Sequence, residues 1–235
     1  MIILLNIGNT HTHIAEVKNG KIVSRRKIQT SDLNSKTLPE GLPLAAATVV
    51  PDIRIRLKDL NVFWVEPNNV CELDFSQVDN TTLGADRVAN LVALSTEYPL
   101  PALCIDFGTA ITFELLGCGN IVLGGAIMPG RALMRKAMHD YTAQLPLVSV
   151  QTPPPDGPGT NTVDQMLLGV DIGLIGAIKE LIEVMRDKAG KDLRIVATGG
   201  DAEFFTKRLS GIEYAGDDFT LKGILKAWET HKRCK

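Results

Sequence analysis

A carboxylate and a guanidinium stand side by side after a glycine, at Asp86 and Arg87 within residues 83–87. The apolar positions that follow predict a helix beginning here. An aspartate in this place could accept a proton as a general base, and the arginine could clamp an anion. The motif alone is equally compatible with a first-turn acid that the helix dipole stabilises beside a solvated arginine.

A second pattern occurs twice, one hundred residues apart. Residues 2–12 run as an apolar strand into a Gly-Asn-Thr turn, and residues 102–112 repeat this around Gly-Thr-Ala, with Asn6 aligned to Asp106 and no gap. Glycine lets the backbone approach an anion closely, while N–H and hydroxyl groups donate to it. Two ordinary β-hairpins are the alternative. Two copies in register favour a phosphate clamp, with Asp106 holding a cation beside it.

Two further signals are weak when taken alone. Gly199 and Gly200 follow an apolar strand and precede Asp201, a predicted helix N-cap, as at many nucleotide-binding junctions. The same pattern is an ordinary strand–helix connection. His11 and His13 lie on one strand face, where a metal site is less favoured than a partly exposed sheet surface.

The elements around these residues alternate between strands and helices. The periodicity predicts three antiparallel strands in residues 1–30, then strand, short helix, strand and the helix after residue 83. A second meander, several helices and a strand at 193–197 follow. We therefore predict an α/β protein with a mixed sheet in each of two lobes, residues 1–100 and 101–235. Residues 160–162 are predicted to cap one long helix, with Asn161 among them and with Met166, Val170 and Leu174 on its apolar stripe. Gly169, Gly173 and Gly176 punctuate this helix and would allow a partner to approach it closely.

Composition excludes several classes of protein. With 45% hydrophobic and 22% charged residues and a net charge of −2, the chain reads as globular, without a nucleic-acid surface. No basic region precedes the short apolar run at the N-terminus, which predicts a buried strand and not a signal peptide. Charges interrupt the most apolar later segment, so we expect no membrane span. Four cysteines without CxxC spacing predict reduced thiols and a cytoplasmic protein.

With these motifs in this order, the chain resembles the type III pantothenate kinases of the actin-like, sugar-kinase and Hsp70 ATPase superfamily. The resemblance is most specific at residues 83–87 and 106–112. It implies two duplicated ribonuclease H-like (actin-like ATPase) lobes, each with an antiparallel three-strand meander in a mixed sheet flanked by helices. It also implies ATP-dependent phosphorylation of pantothenate to 4'-phosphopantothenate, the first step of coenzyme A biosynthesis. ATP, Mg²⁺, a monovalent cation (K⁺ or NH₄⁺) and a homodimer would accompany that activity.

The resemblance also implies roles for individual residues. The ATP-binding set would be Asn6, Ile7, Gly8, Asn9, Thr10, His11, Thr12, His13 and Thr109. The pantothenate-binding set would be Gly84, Ala85, Asp86, Arg87 and Thr162, with Asp86 as the proton acceptor. Asp106 would be the ligand of the monovalent cation.

The sequence departs from the family pattern in three segments. Asn6 stands where aspartate is usual, and an amide is a poorer magnesium ligand and cannot accept a proton. Gln77 and Asn80 stand where tyrosine and proline are usual, and Ala46-Ala47 where small hydroxyl residues are common. The alternative is therefore a catalytically impaired kinase-like protein that binds nucleotide or pantothenate. A superfamily phosphohydrolase is a third reading.

Overall fold

The computed structural model describes residues 1–234, and of residue 234 the backbone alone. The chain forms two compact units, each built largely around one five-stranded sheet. Unit 1 comprises residues 1–102, 116–124 and 217–235, and unit 2 comprises residues 103–115 and 125–216. Within the described residues, no helix combines the length and apolarity that crossing a membrane requires.

The sheet of unit 1 is mixed, as the sequence predicts. Its strands are β1 (Ile2–Ile7), β2 (His11–Lys18), β3 (Lys21–Gln29), β4 (Leu44–Thr48) and β5 (Val62–Trp64), in the order β3-β2-β1-β4-β5. The first three form the predicted antiparallel meander, while β4 and β5 add in parallel. Asn19 and Gly20 close the β2–β3 hairpin with φ of 52° and 73°, the left-handed pair that a two-residue turn of this kind needs.

Three helices accompany this sheet: α1 (Asp52–Arg56), α2 (Ala85–Glu97) and α7 (Phe219–Cys234). Helix α7 comes from the far end of the chain, yet it packs on α2, β1 and β4. A buried hydrogen bond of 2.8 Å from Thr220 Oγ1 to Asn90 Oδ1 joins the two helices. The compact units therefore differ from the predicted division at residue 100, because α7 completes the core of unit 1. Duplication of residues 1–100 in residues 101–235 stays a prediction about the sequence.

The second sheet has the strand order β10-β9-β6-β7-β8. Its strands are β6 (Ala102–Phe107), β7 (Ala110–Leu116), β8 (Val122–Pro129), β9 (Arg194–Thr198) and β10 (Glu213–Tyr214). Its helices are α3 (Arg131–Asp140), α4 (Thr162–Leu167), α5 (Gly173–Ala189) and α6 (Ala202–Thr206). The short edge strand β10 carries no strong apolar pattern and was not predicted.

A π-helical turn at Leu168–Ile172 interrupts what the sequence predicts as one long helix from residue 162. This turn joins α4 to α5, and its residue Asp171 is fully buried. The apolar stripe is otherwise largely as predicted, with Met166, Val170 and Leu174 buried. π-helical turns are rare and frequently occur at functional sites. The buried carboxylate of Asp171 within this turn is therefore a candidate for a specific role.

Candidate active site

The turn between β1 and β2 is closed by its own backbone and held from outside by Thr30. Gly8 N donates to His11 O at 3.0 Å, and Thr30 Oγ1 donates to Gly8 O at 2.7 Å. Thr12 Oγ1 lies 3.0 Å from Thr30 Oγ1. Since the single Thr30 hydroxyl proton is used on Gly8, Thr12 must be the donor between the two hydroxyls. A buried chain of hydroxyls thus fixes the shape of this turn.

The predicted ATP-binding residues of this turn divide into two groups. Ile7 and Thr12 are buried, at 1% and 0% exposed, so they shape the turn and present no side chain at its surface. Asn9 and Thr10 are exposed, while Asn6, Gly8, His11 and His13 are partly exposed. Sequence reasoning missed Thr30, which lies 18 residues beyond the repeated motif and has no counterpart in the pattern.

Thr30→Val is expected to destabilise the protein by about 1–3 kcal/mol, since it leaves Gly8 O and the Thr12 hydroxyl without their partner. We also expect the KM for ATP to rise, because the turn loses its outer support. Thr30→Ser keeps the hydroxyl and serves as the control, close to wild type in both respects. Thermal denaturation and initial-rate kinetics check this, and a valine variant with unchanged melting temperature would contradict it.

His13 contributes little positive charge to this region. Desolvation, then Lys27 and then His11, lower its pKa below the ordinary histidine value, against opposing effects of Asp217 and Asp218. At neutral pH the imidazole is therefore mainly neutral. Its chemistry here is that of a hydrogen-bond donor and acceptor, and phosphate charge would have to be balanced by other groups.

Asp86 lies in the first turn of α2, where its side chain folds back on the helix start. Its Oδ1 accepts a 2.8 Å hydrogen bond from Arg87 N. A Cβ on Gly84 would lie 2.7 Å from that same Oδ1 and 3.5 Å from Val49 Cγ1, so a larger residue there would push the carboxylate out of this position. Desolvation raises the pKa of Asp86, outweighing the opposing effects of the Arg87 hydrogen bond and charge. A carboxyl with a raised pKa is a stronger base once ionised.

Val49 connects the Asp86 region to the first turn. Val49 N donates to Ile7 O at 3.3 Å, at the end of β1, while its side chain faces Gly84. Unit 1 therefore brings together two of the predicted motifs, the 8–11 turn and the start of α2. Ala85 is buried, and Arg87 is partly exposed with interactions of its own. No pattern in the sequence indicates this role of Val49.

The repeated turn in unit 2 is tighter by one residue. Gly108 N donates to Ala110 O at 3.2 Å, whereas the first turn reaches from residue 8 to residue 11. Thr109 is exposed at the tip of this turn. The ungapped alignment of the two motifs therefore holds for β1 and β6, whereas the second strands are offset by one residue, since β2 begins at His11 and β7 at Ala110.

Asp106 is the next-to-last residue of β6 and lies beside the glycine junction after β9. A Cβ on Gly199 would lie 2.4 Å from Asp106 Oδ1 and 2.7 Å from Phe107 N, and Gly199 has φ of 93°. Asp201 N donates to Phe107 O at 3.1 Å. Within unit 2, the junction at Gly199 and Gly200, a weak signal in the sequence, therefore lies against Asp106 of the repeated motif. Asp201 precedes α6 as predicted, but its side chain does not cap the helix and instead accepts from Arg131 NH1 at 3.2 Å.

Asp106 is the residue predicted to bind the monovalent cation. No cluster of three or more His, Cys, Asp or Glu side chains placed to bind a metal exists among the described residues. Asp106 is partly exposed and has glycine on both sides, with Gly108 and Gly199 near its Oδ1. Binding of a monovalent cation by Asp106 stays a prediction, and Mg²⁺ commonly enters with nucleotide phosphates and few protein ligands.

Thr162 is the first residue of α4 and is exposed. The preceding Asn161 caps the helix, accepting from Asp164 N at 3.0 Å as the sequence predicts. Gly159 packs on the same turn, since a Cβ there would lie 2.4 Å from Gln165 N. Because Asn161 caps the helix, the Thr162 hydroxyl is not used for capping. A role in binding substrate stays a prediction.

The family model described as type III pantothenate kinase matches residues 2–184. The type III pantothenate kinase of Fervidobacterium nodosum is 33% identical over 253 residues, which cover 99% of this chain and 98% of that protein.

Solved structures share the fold. A Campylobacter jejuni protein described as a candidate Baf family transcriptional activator has a TM-score of 0.69 at 22% identity, covering 98% of this chain and 99% of that one. The activator of 2-hydroxyisocaproyl-CoA dehydratase from Clostridium difficile has a TM-score of 0.54 at 14% identity, covering 99% and 96%. These likenesses speak for the fold alone, which is the predicted actin-like ATPase fold. By the family match and the near-complete alignment with its kinases, the chain belongs to the type III pantothenate kinase family.

Proposed function

We propose that this protein phosphorylates pantothenate with ATP, giving 4'-phosphopantothenate, the first step of coenzyme A biosynthesis. The observation that carries the proposal is the desolvated carboxylate of Asp86, backed by Gly84 and joined through Val49 to the 8–11 turn. Phosphoryl transfer needs positioning, charge neutralisation and an acceptor for the hydroxyl proton. Asp86 would supply that acceptor, and Arg87, the next residue in the chain, would bind the pantothenate carboxylate.

The other predicted residues would bind ATP, pantothenate and the monovalent cation. The exposed backbone and side chains of residues 8–11, with Thr109, would bind ATP, and Thr162 would contact pantothenate. Asp106 would hold K⁺ or NH₄⁺, a charge that offsets the anionic phosphates. Mg²⁺ would enter with ATP and supply the Lewis acidity of the transfer. A cytoplasmic location stays a prediction.

Asn6→Asp is expected to raise turnover, because it restores an ionisable ligand at the end of β1, next to the 8–11 turn. A carboxylate binds magnesium more tightly than an amide does. The gain should be largest at low Mg²⁺ concentration, so initial rates are measured across a magnesium titration. Asn6→Ala serves as the control and should not exceed wild type. Lower activity in the aspartate variant would show that position 6 works as an amide.

Release of ADP in the presence of ATP, Mg²⁺ and K⁺, with and without pantothenate, tests the proposed function. Release that depends on pantothenate supports it. Folded protein that binds ATP or pantothenate by calorimetry without turnover would favour the impaired kinase-like alternative. Hydrolysis of ATP that is indifferent to pantothenate would instead indicate a phosphohydrolase.

We further propose a homodimer, and one surface of unit 2 supports it. Added Cβ atoms at Gly169, Gly173 and Gly176 would meet nothing within 4 Å, and Ile172 among them is 43% exposed. Helices pack closely where small residues leave the backbone accessible. A second copy of this chain would cover this face.

Gly173→Arg is accordingly expected to convert a dimer into a monomer, measured by light scattering after size exclusion. Gly157→Arg is the control, since Gly157 is also exposed and open and its substitution should leave the mass unchanged. A wild-type protein with the mass of a monomer would contradict the proposal.

A further inference from the structure

A buried cluster of charges lies behind the Asp106–Thr109 turn in unit 2. Asp171 is 0% exposed and accepts hydrogen bonds from two guanidinium groups. Arg131 reaches it bidentately, with Nε and NH2 each 3.0 Å from one carboxylate oxygen, and Arg135 NH2 lies 2.9 and 2.7 Å from the two oxygens. Both arginines are also buried, at 3% and 1% exposed. With Asp201 on the remaining nitrogen of Arg131, the cluster is electrically neutral.

Arg131 also contacts the helix that follows the glycine junction. Its guanidinium lies 3.6 Å from the ring centroid of Phe204 in α6. The neighbouring Phe205 stacks on Phe107 of β6, with ring centroids 4.3 Å apart. One side of Arg131 is therefore tied, through Asp201 and α6, to the residue that begins the 107–109 turn.

The backbone beside Arg131 reaches the other end of the same turn. Gly130 N donates to Thr109 O at 2.9 Å, and a Cβ on Gly130 would lie 2.4 Å from Gly108 O. Since Asp201 N donates to Phe107 O, a closed ring of contacts runs from Thr109 through Gly130 and Arg131 to Asp201 and back to Phe107. Asp171, aimed by the π turn, fixes the guanidinium at the centre of this ring.

Arg135 provides a comparison within the same helix. It binds the same carboxylate of Asp171 through NH2, which also donates to Thr152 O at 3.4 Å, while its NH1 donates to Ser149 O. None of its described hydrogen bonds or ion pairs goes to Asp201 or to the 107–109 turn. The two arginines thus share burial and partner but differ in what they hold. If both arginines only stabilised the fold, substituting either one would have the same effect on ATP binding.

We propose that Arg131 is a positioning residue for nucleotide binding, which sets the 107–109 turn and the 199–201 junction in one fixed relation through Asp171 and Asp201. It need not touch the nucleotide. A site that is held in its binding geometry before the ligand arrives loses less freedom on binding, and loosening it weakens affinity. The inference rests on the proposed function, in which Thr109 contacts ATP.

The test compares Arg131→Gln, Asp201→Asn and Arg135→Gln by ATP affinity, kinetics and melting temperature. Asp201→Asn leaves the buried Arg131–Asp171 pair intact, so it decides the question if Arg131→Gln does not fold. We expect Arg131→Gln and Asp201→Asn each to raise the Kd and KM for ATP about tenfold. The KM for pantothenate should stay within about twofold of wild type.

Three further readouts separate positioning from simple stability. Asp201→Glu should restore part of the ATP affinity, and Asp201→Asn should add little to Arg131→Gln, because both break one contact. Arg135→Gln should lower the melting temperature without weakening ATP binding. Equal loss of ATP affinity in Arg135→Gln, or unchanged affinity in Asp201→Asn, would overturn the inference. Calorimetric ATP affinity needs no turnover, so a wild type that binds ATP without phosphorylating pantothenate would fail the proposed function alone.

Discussion

Asp86→Asn is expected to lower kcat by about 10²–10⁴-fold, because the transferring hydroxyl would lose the group that accepts its proton. Asparagine keeps the shape and can still accept the hydrogen bond from Arg87 N through its side-chain oxygen. The KM values should therefore change little, and the defect should lie in the chemical step. Asp52→Asn is the matched control, since Asp52 is likewise an acid in the first turn of a helix in unit 1 but is exposed. Retained turnover in Asp86→Asn would remove the carboxylate from the mechanism.

The same substitution should make the protein more stable at neutral pH. The pKa of Asp86 is raised in the folded state by desolvation, so the folded protein holds this proton more tightly than the unfolded chain does. Stability attributable to this group therefore falls as pH rises from the ordinary aspartate pKa through the raised one, and the full penalty applies above both. Asp86→Asn removes that penalty, so its melting temperature should exceed that of wild type at pH 7 and converge with it in acid. Ionisation of the same group should place the acidic limb of kcat/KM above the ordinary aspartate pKa.

Patterns within a few residues were enough to predict most elements and the protein's main motifs. The meander of unit 1, the Asn19-Gly20 hairpin and the start of α2 follow from strand alternation, turn residues and helical periodicity. The repeated turns were recognisable because both copies lie within contiguous stretches. Asp86 and Asp106 belong to such stretches, and the structure places both beside glycines, as the motifs require.

Contacts between distant segments were not predictable in this way. Thr30 holds the first turn from 22 residues away, and Arg131 meets Asp171 across 40 residues. Neither pairing leaves a periodic trace, because hydrogen-bond partners in a fold are set by topology. The π turn that aims Asp171 has no local signature either, since its residues are compatible with an ordinary helix. Asp201 is an example in which a long-range contact replaces a local one. Its side chain binds Arg131 and does not cap α6.

The crossing of α7 on α2 carries the largest expected effect on stability. A Cβ on Gly223 would lie 1.9 Å from Ala89 O and 2.6 Å from Ala89 C, and a backbone carbonyl cannot turn aside as a side chain can. An alanine in a helix would ordinarily stabilise by up to about 1 kcal/mol over glycine. Here the two helices would have to separate, which also strains the buried Thr220–Asn90 hydrogen bond. The steric cost therefore dominates the propensity gain.

Gly223→Ala should accordingly lose about 3 kcal/mol or more, as in other overpacked cores, and lower the melting temperature by roughly 6–12 °C. Gly157→Ala is the control: it makes the same change at an exposed loop position outside the proposed dimer face, where the added Cβ meets nothing within 4 Å, and it should leave the melting temperature close to that of wild type. Because α2 carries Asp86 in its first turn, displacement of α2 should also reduce kcat in the fraction that stays folded. A Gly223→Ala protein that melts like wild type would show that α2 and α7 can part at little cost, and the close crossing would then have no structural role.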